Sequence, residues 1–318
     1  MLSRLSLTVF PAILCFASPS FADNYPLTVT DGRGAEVTLT EKPNRVAALW
    51  VPAADLLVKL GQPVAGVTTY EGQMPVYLGE TVSGALDLGD ITSPNLELLA
   101  SSDIHLTVGM TSYNAPYADQ IEPVSTFLTY DSYRLNDAME AVQSLGNALG
   151  AAEDVEKLNA DFTALMADYA SRAPEEAREV MLIWSYQDTL FGYQNGLTAT
   201  DIIAATGATN PLGKLPEGDS PDTGFTILET EDLLAHDPDV ILMFISHGGQ
   251  PKYNPAYERM TAYKNGTFYS IGYQYSQPSG PIAREMVLRE AGHLIYPDVF
   301  DAPELPETAR AVPVVFNK

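Results

Sequence analysis

Cysteine, histidine and basic residues are scarce in this chain of 318 residues. It has one Cys and four His, and its 17 Lys and Arg stand against 41 Asp and Glu, which gives a formal net charge of −24 at pH 7. A strongly anionic chain repels phosphate backbones, so the charge argues against nucleic acid as a partner. The histidines, at positions 105, 236, 247 and 293, form no pair with metal-ligand spacing, and we expect no metal site.

Catalytic motifs are also absent. The chain has no G-x-S-x-G, no G-x-x-x-x-G-K-[ST], no H-E-x-x-H and no paired cysteines. We therefore expect no catalytic residues and no enzymatic activity, and we keep only His247, in a loop after a strand, as a candidate ligand contact. A secreted two-lobed enzyme and a structural or adhesive surface protein remain alternatives from other functional classes.

The one apolar run of note lies at the N-terminus. Arg4 supplies a positive end, residues 5–17 are largely apolar, and small residues precede a cleavage site after Ala22. This pattern predicts a signal peptide over residues 1–22 and an exported, soluble, periplasmic protein.

The single cysteine, Cys15, lies inside this segment. Leu14 precedes it, at the position where a lipid-anchor cysteine takes a small residue. We therefore expect Cys15 to be removed with the signal peptide, which leaves a mature chain without thiols and without disulfide bonds.

The stretch Glu153–Arg172 predicts one long helix. Its apolar residues recur at steps of three and four, no Gly or Pro interrupts it, and Pro174 follows it. Its length is about 30 Å, the width of a small domain. Segments of similar size flank it, so we predict an N-terminal lobe over residues 23–150, a bridging helix over 151–173 and a C-terminal lobe over 174–318.

Short apolar strands alternate with helices in both lobes. This alternation predicts an α/β fold whose two lobes have mainly parallel sheets. It places strand Val180–Trp184 before a loop that carries Phe191 and Tyr193, and makes Phe268–Ile271 the last strand. Ligands of such sheets gather at the loops that leave the carboxyl ends of the strands.

Aromatic residues are concentrated in these loops. A single loop tyrosine often only covers a core edge, but the set favours an aromatic-lined cleft for a bulky ligand. The candidate ligand contacts of the first lobe are Trp50, Tyr70, Tyr77 and Tyr113. Those of the second lobe are Tyr186, Phe225, His247, Tyr273 and Tyr275.

Several segments, taken in order, resemble one known family. They are PLTVTDGRGAEVTLTEKPNRVAAL, LDLGDITSPNLELLAS, DIIAATGATN, ILETEDLLAHDPDVIL, MTAYKNGTFYSIG and REMVLREAGHLIYPDVF. The chain is similar to the periplasmic substrate-binding proteins of ABC importers for ferric siderophores, haem and cobalamin. The resemblance implies two α/β lobes bridged by one helix. It also implies a monomer without a cofactor, whose iron arrives inside the bound chelate and whose partners are an inner-membrane permease and its ATPase.

Within that family the chain most resembles binders of ferric hydroxamates. Tyr113 falls where that group has a ligand-contacting tyrosine, but Ile91 stands in place of an arginine and Thr223 near the place of a tryptophan. The resemblance therefore leaves the siderophore open, with cobalamin and haem as alternatives.

The ligand's charge is constrained by the first-lobe loops. Residues 50–52, 68–83, 89–95 and 109–117 contain no Lys or Arg. A desolvated anion needs positive partners, so we expect a neutral or cationic chelate of hydroxamate type.

Two glutamates are candidates for docking to the permease. The resemblance implies one such carboxylate at the tip of each lobe, and the matching positions are Glu97 and Glu231. Each lies at the start of a short predicted helix, where a carboxylate is favoured by the helix dipole. A local capping role is therefore the alternative for both.

Overall fold

The computed structural model describes residues 25–214, 224–246 and 248–316. They form two α/β lobes joined by one long helix, as the sequence predicts. The predicted cleavage site after Ala22 and the candidate His247 lie outside the described residues. Within the described part of the chain, no helix is both long and apolar enough to cross a membrane.

The first lobe contains an antiparallel hairpin and a six-stranded sheet. The hairpin pairs β1 (Leu27–Thr30) with β2 (Glu36–Leu39). The sheet has the order β6-β5-β4-β3-β7-β8, and all its neighbours are parallel except the edge pair β5 and β6. Its strands are β3 (Val46–Ala48), β4 (Gly66–Thr69), β5 (Leu86–Asp90), β6 (Ser93–Pro94), β7 (Leu106–Met110) and β8 (Thr126–Tyr130).

The second lobe is built on another six-stranded sheet, in the order β11-β10-β9-β12-β13-β14. Its strands are β9 (Val180–Tyr186), β10 (Thr189–Tyr193), β11 (Phe225–Leu228), β12 (Val240–Ile245), β13 (Phe268–Ile271) and β14 (Val312–Pro313). The prediction that Phe268–Ile271 is the last strand is wrong, because β14 adds an antiparallel edge beside it.

The expectation of mainly parallel sheets holds for the first lobe only. In the second sheet β9, β12 and β13 run parallel, whereas β10, β11 and β14 are antiparallel to their neighbours. The cause is the short link between β9 and β10. Only Gln187 and Asp188 separate the paired residues Tyr186 and Thr189. A two-residue link can form a hairpin but cannot form the long crossover that parallel strands require.

Eleven helices are assigned within the described residues. They are α1 (Val51–Lys59), α2 (Glu80–Ser83), α3 (Leu96–Ala100), α4 (Thr111–Asn114), α5 (Ala118–Ile121), α6 (Leu135–Ala148), α7 (Ala152–Arg172), α8 (Thr198–Ala204), α9 (Thr230–His236), α10 (Thr261–Lys264) and α11 (Pro281–Ile295). Short 3₁₀ turns occur at Val76–Leu78, Ala115–Tyr117, Tyr257–Arg259, Tyr273–Tyr275 and Glu307–Ala309.

Helix α7 bridges the lobes through one apolar stripe. Val155, Phe162 and Tyr169 are buried at seven-residue intervals, which keeps them on one face. Val155 belongs to the first lobe's core, whereas Phe162 and Tyr169 belong to a core of the second lobe. A single continuous helix therefore contributes to both cores, as the sequence predicts.

A buried arginine ties α11 to this bridge. The Arg284 side chain donates to Asn159 Oδ1 at 2.8 Å and to the Leu158 carbonyl at 3.0 Å, and its guanidinium carbon lies 4.7 Å from the centre of the Phe162 ring. Burial lowers the pKa of Arg284 to about 10, so the group is still charged at neutral pH. It fixes the last long helix of the second lobe against α7.

A buried carboxylate makes a second tie. Asp55, in α1 of the first lobe, is fully buried and accepts the backbone N–H groups of Ile282 and Ala283, each at 2.8 Å, and the Tyr77 hydroxyl at 3.0 Å. It therefore satisfies two free N–H groups at the start of α11. Gly280 precedes them, and a Cβ there would lie 2.3 Å from the Asp55 carboxyl carbon.

We expect stability to depend on pH through Asp55. Burial raises its pKa to about 6, above the usual value of 3.8 for an exposed carboxyl. Between these values the folded chain holds a proton that the unfolded chain has released. The stabilisation is therefore complete below pH 3.8 and is lost as the pH rises through 6. The free energy of unfolding should rise by on the order of 2 kcal/mol from pH 7 to pH 4 through this group.

Urea unfolding at a series of pH values checks this expectation. Asp55→Asn should show a smaller rise than the wild type, and some rise should remain because burial also raises the pKa of Glu290, to about 7. Asp119→Asn, at an exposed position, is the control and should keep the wild-type slope. Equal slopes for Asp55→Asn and the wild type would contradict the assignment.

Candidate ligand-binding site

A cavity of about 550 Å³ lies between the lobes. Pockets for small ligands commonly have volumes of about 300–1,000 Å³. The lining residues of the first lobe are Tyr70, Met110, Ser112, Tyr113, Ser132 and Tyr133. The aromatic lining residues of the second lobe are Trp184, Phe191, Tyr193 and Phe225, and its polar ones are Thr198, Ser276, Gln277 and Ser279.

The first-lobe wall comes from the ends of three parallel strands. Tyr70 follows β4, Tyr113 lies in α4 directly after β7, and Ser132 and Tyr133 follow β8. The carboxyl ends of parallel strands share one edge of a sheet, so these side chains meet there. The expected position of the ligand-facing loops therefore holds for this lobe.

The second-lobe wall is different, because it is the face of an antiparallel sheet. Trp184 of β9 pairs directly with Phe191 of β10, and Tyr193 of β10 pairs with Phe225 of β11. Directly paired residues lie on the same face, as do residues two apart on one strand. The ring centres of Trp184 and Phe191 are 4.9 Å apart, and those of Tyr193 and Phe225 are 4.8 Å apart.

The predicted loop after Trp184 is therefore wrong, and four lining aromatics were missed as site residues: Tyr133, Trp184, Phe191 and Tyr193. Phe191 and Tyr193 lie in β10, and Trp184 was not among the candidate contacts. The pattern Thr189, Phe191, Tyr193 alternates at two-residue spacing after the Gln-Asp turn, which is the signal of a hairpin strand. That pattern could have placed these rings on one face before the structure was known.

Three of the predicted ligand contacts line the cavity: Tyr70, Tyr113 and Phe225. Tyr186 lies beside the cavity wall, with its ring centre 5.5 Å from that of Trp184, but does not line the cavity. The candidate His247 cannot be placed, because it lies outside the described residues.

Four predicted contacts lie in the core instead, and we leave them out of the site. Trp50 is fully buried where β3 turns directly into α1, and its indole N–H donates to Ser132 Oγ at 3.3 Å. Tyr77 is buried, and its hydroxyl donates to Asp55 Oδ2 at 3.0 Å. Tyr273 stacks on Tyr77, with ring centres 6.3 Å apart.

The fourth, Tyr275, is fully buried beside Glu290. These four aromatics fill the space between secondary structure elements near the cleft, so they support the cavity from behind without reaching it.

The hydroxyls of Tyr70, Tyr113 and Tyr193 in the cavity are protonated at neutral pH. Burial raises the pKa of Tyr70, Tyr113 and Tyr193 above the usual value of a phenol. They can donate hydrogen bonds to ligand oxygens, in company with the serine and threonine hydroxyls of the wall. Among the described residues, no three His, Cys, Asp or Glu side chains come together in a way that could hold a metal ion.

The two candidate docking glutamates are exposed on short helices. Glu97 lies in the first turn of α3, whose cap is Asn95, with its side chain accepting the Leu98 N–H at 2.9 Å. Glu231 lies in the first turn of α9, where Glu229 and Asp232 form the capping box. In both helices, other side chains make the capping hydrogen bonds.

Comparison with known sequences gives a consistent set of relatives. Residues 46–275, more than half of the chain, match the family described as periplasmic binding protein. The chain is 22% identical over 290 residues to YvrC of Bacillus subtilis (strain 168), described as an uncharacterized ABC transporter substrate-binding lipoprotein. That alignment covers 87% of each chain.

Solved structures share the fold. The triscatecholate siderophore binding protein FeuA of Bacillus subtilis has a TM-score of 0.71 at 14% identity, covering 85% of this chain and 98% of its own. The siderophore binding protein BauB, solved with ferric iron and two molecules of acinetobactin, has 0.70 at 16%, with the same coverage. The FhuD protein of S. pseudintermedius has 0.65 at 15%, covering 84% and 97%.

We expect Trp184 to account for most of the tryptophan fluorescence that acrylamide can quench in this protein. The chain has two tryptophans, and Trp50 is fully buried whereas Trp184 is part of the cavity wall. Trp184→Phe should therefore remove most of the quenchable signal, and Trp50→Phe should leave it in place. The opposite result would mean that the cleft is not open to small solutes.

Proposed function

The chain belongs to the periplasmic binding protein family, the substrate-binding proteins of ABC transporters, and on that premise we propose that it carries a ferric siderophore to an inner-membrane permease. The chelate would lie in the cavity between the lobes, with its iron already coordinated. We further propose that the mature chain functions in the periplasm, after cleavage of a signal peptide on the C-terminal side of Ala22. The relative YvrC is described as a lipoprotein, but Leu14 before Cys15 argues against a lipid anchor here.

The observation that carries this proposal is the composition of the cavity. Its walls combine large aromatic rings with hydroxyl and amide groups in a volume of about 550 Å³. Rings bury apolar surface of a bulky ligand at little cost in conformational entropy, and the polar groups can bind its oxygens. Structural relatives support the ligand class, because BauB and FeuA are both described as siderophore binding proteins.

The charge of the cavity supports a neutral or cationic chelate. None of the described lining residues is Lys or Arg. Arg134 follows the lining Tyr133, but it lies close to Asp201, where its charge opposes the rise that burial produces in the pKa of that carboxyl. The undescribed segment 215–223 contains no Lys or Arg either. An anionic chelate would therefore lose hydration without gaining a paired cation.

We accordingly expect tight binding of ferrichrome, a neutral ferric trihydroxamate, and weak binding of the trianionic ferric enterobactin. Titration with Trp184 fluorescence as the signal measures both, and native mass spectrometry of protein from an iron-limited culture identifies the natural cargo. Tight binding of ferric enterobactin together with indifference to ferrichrome would contradict the charge argument. A cargo without iron would contradict the proposed function.

We also propose that Glu97 and Glu231 dock the loaded protein on arginines of the permease. Because Asn95 and the Glu229–Asp232 pair already cap α3 and α9, the exposed glutamates are left for another role. A carboxylate and an arginine form a bidentate, charge-assisted pair, which is stronger than a neutral hydrogen bond.

The double variant Glu97→Ala, Glu231→Ala should bind its ligand normally but fail to stimulate the permease ATPase in proteoliposomes. A matched control is Glu80→Ala, Glu153→Ala, which removes two exposed first-turn glutamates from α2 and α7. The docking assignment is wrong if both double variants support the same ATPase activity as the wild type.

A further inference from the structure

A tight turn of the first lobe reaches the second lobe beside the cavity. Tyr70 and Gln73 exchange backbone hydrogen bonds of 3.0 Å in both directions, and Glu71 and Gly72 between them have φ values of 51° and 73°. The Glu71 N–H also donates to Asp90 Oδ2 at 3.1 Å, which fixes the turn to the end of β5. The tip of the turn is therefore rigidly held.

Glutamate is an unusual residue at the tip of such a turn. The left-handed region is sterically unfavourable for L-residues, and Gly, Asn or Asp is the ordinary choice there. An observed outlier of this kind is a reason to look for a role of the side chain.

The Glu71 side chain makes hydrogen bonds across the cleft. Its Oε2 accepts the indole N–H of Trp184 at 3.3 Å and the hydroxyl of Ser246, while the same indole N–H lies 3.0 Å from Ser246 Oγ. Beside it, Gln73 Nε2 donates to the Ile245 carbonyl at 3.0 Å. The contacts from the first lobe thus fall at the carboxyl-terminal ends of β9 and β12, two adjacent strands of the second sheet.

These hydrogen bonds determine the orientation of the Trp184 ring in the cavity wall. Tryptophan has one hydrogen-bond donor, and in Trp184 it is directed at Glu71 and Ser246. The ring is then held among Phe191, Phe225 and Tyr70, at centre distances of 4.9, 6.3 and 6.3 Å. The largest ring of the cavity wall is thus oriented by Ser246 of its own lobe together with Glu71 of the opposite lobe, which also accepts the Ser246 hydroxyl.

We propose that Glu71 is a positioning residue: from the first lobe it fixes the indole of Trp184 on the second-lobe wall, so that the ring is ready to stack on a ligand. The proposal rests on the proposed function only in taking the cavity as the ligand site. On this proposal, the orientation of the aromatic wall depends on the contact between the two lobes at this turn.

A ligand-free measurement tests the positioning itself. The emission of Trp184 is obtained as the difference between each protein and its Trp184→Phe counterpart. Glu71→Asp suits the test, because Asp tolerates a positive φ better than Glu while its carboxylate is one methylene shorter. In this variant, we expect the Trp184 emission to shift to longer wavelength and its quenching by acrylamide to increase.

Two further variants define the interpretation of that measurement. Glu71→Gln keeps an acceptor oxygen at full reach and should remain close to the wild type. Glu80→Ala, at an exposed position of the same lobe, should show no change. Trp184 emission and quenching that are unchanged in Glu71→Asp would overturn the proposal.

Calorimetric titration with ferrichrome, which needs no tryptophan signal, then separates this proposal from the proposed function. We expect Glu71→Asp to weaken binding by up to roughly tenfold, the order expected for loss of one hydrogen bond. Adding Trp184→Phe should produce little further loss, because both changes act through the same ring. If the wild type binds no ferric chelate, the proposed function fails, while the fluorescence of Glu71→Asp still decides the role of Glu71. Normal ferrichrome binding by Glu71→Asp would overturn the positioning role alone. So would losses of affinity from Glu71→Asp and Trp184→Phe that simply add in the double variant.

Discussion

A single buried carboxylate joins the two lobes at the base of the cleft. Asp55 belongs to α1 of the first lobe, yet it satisfies the N–H groups at the start of α11 in the second lobe. Burying a charge is costly unless hydrogen bonds compensate, and here two backbone donors and the Tyr77 hydroxyl provide them. Close approach at this point requires Gly280, because a side chain would overlap the carboxyl group. The relative position of the lobes, and with it the shape of the cavity, follows from this contact and from the continuous helix α7.

The cavity is made from two kinds of surface because the two sheets differ. In the first lobe the strands are mainly parallel, and their carboxyl ends supply Tyr70, Tyr113 and the Ser132–Tyr133 pair. In the second lobe a hairpin turns the sheet antiparallel, and the sheet face itself supplies a continuous group of rings. Both walls therefore carry rings and hydroxyl groups, but in the second lobe the rings form one packed group on the sheet face.

The distribution of charge agrees with a receptor that handles one ligand and one partner. The cavity wall lacks Lys and Arg among its described residues, while exposed carboxylates occupy the first turns of short helices on both lobes. The inner surface thus disfavours anions by failing to compensate their charge. The same acidic composition that argues against nucleic acid is consistent with docking to a basic protein surface.

The sequence by itself determined the bridging helix and the general alternation of strands and helices, but not the hairpin strand β10 or the edge strand β14. The helix and the alternation are encoded by local periodicity and turn residues, so Val155, Phe162 and Tyr169 could be assigned to one helix face from their spacing alone. The sequence also sufficed to place Tyr70, Tyr113 and Phe225 at the cavity, because each follows or begins a strand at the cleft. It did not suffice to separate Trp50, which is buried behind the wall, from Trp184, which forms it. That difference depends on contacts between residues distant in the chain: Trp50 with Ser132, and Trp184 with Glu71. Only the tertiary structure decides these, because each ring's direction is set by partners that local sequence does not specify.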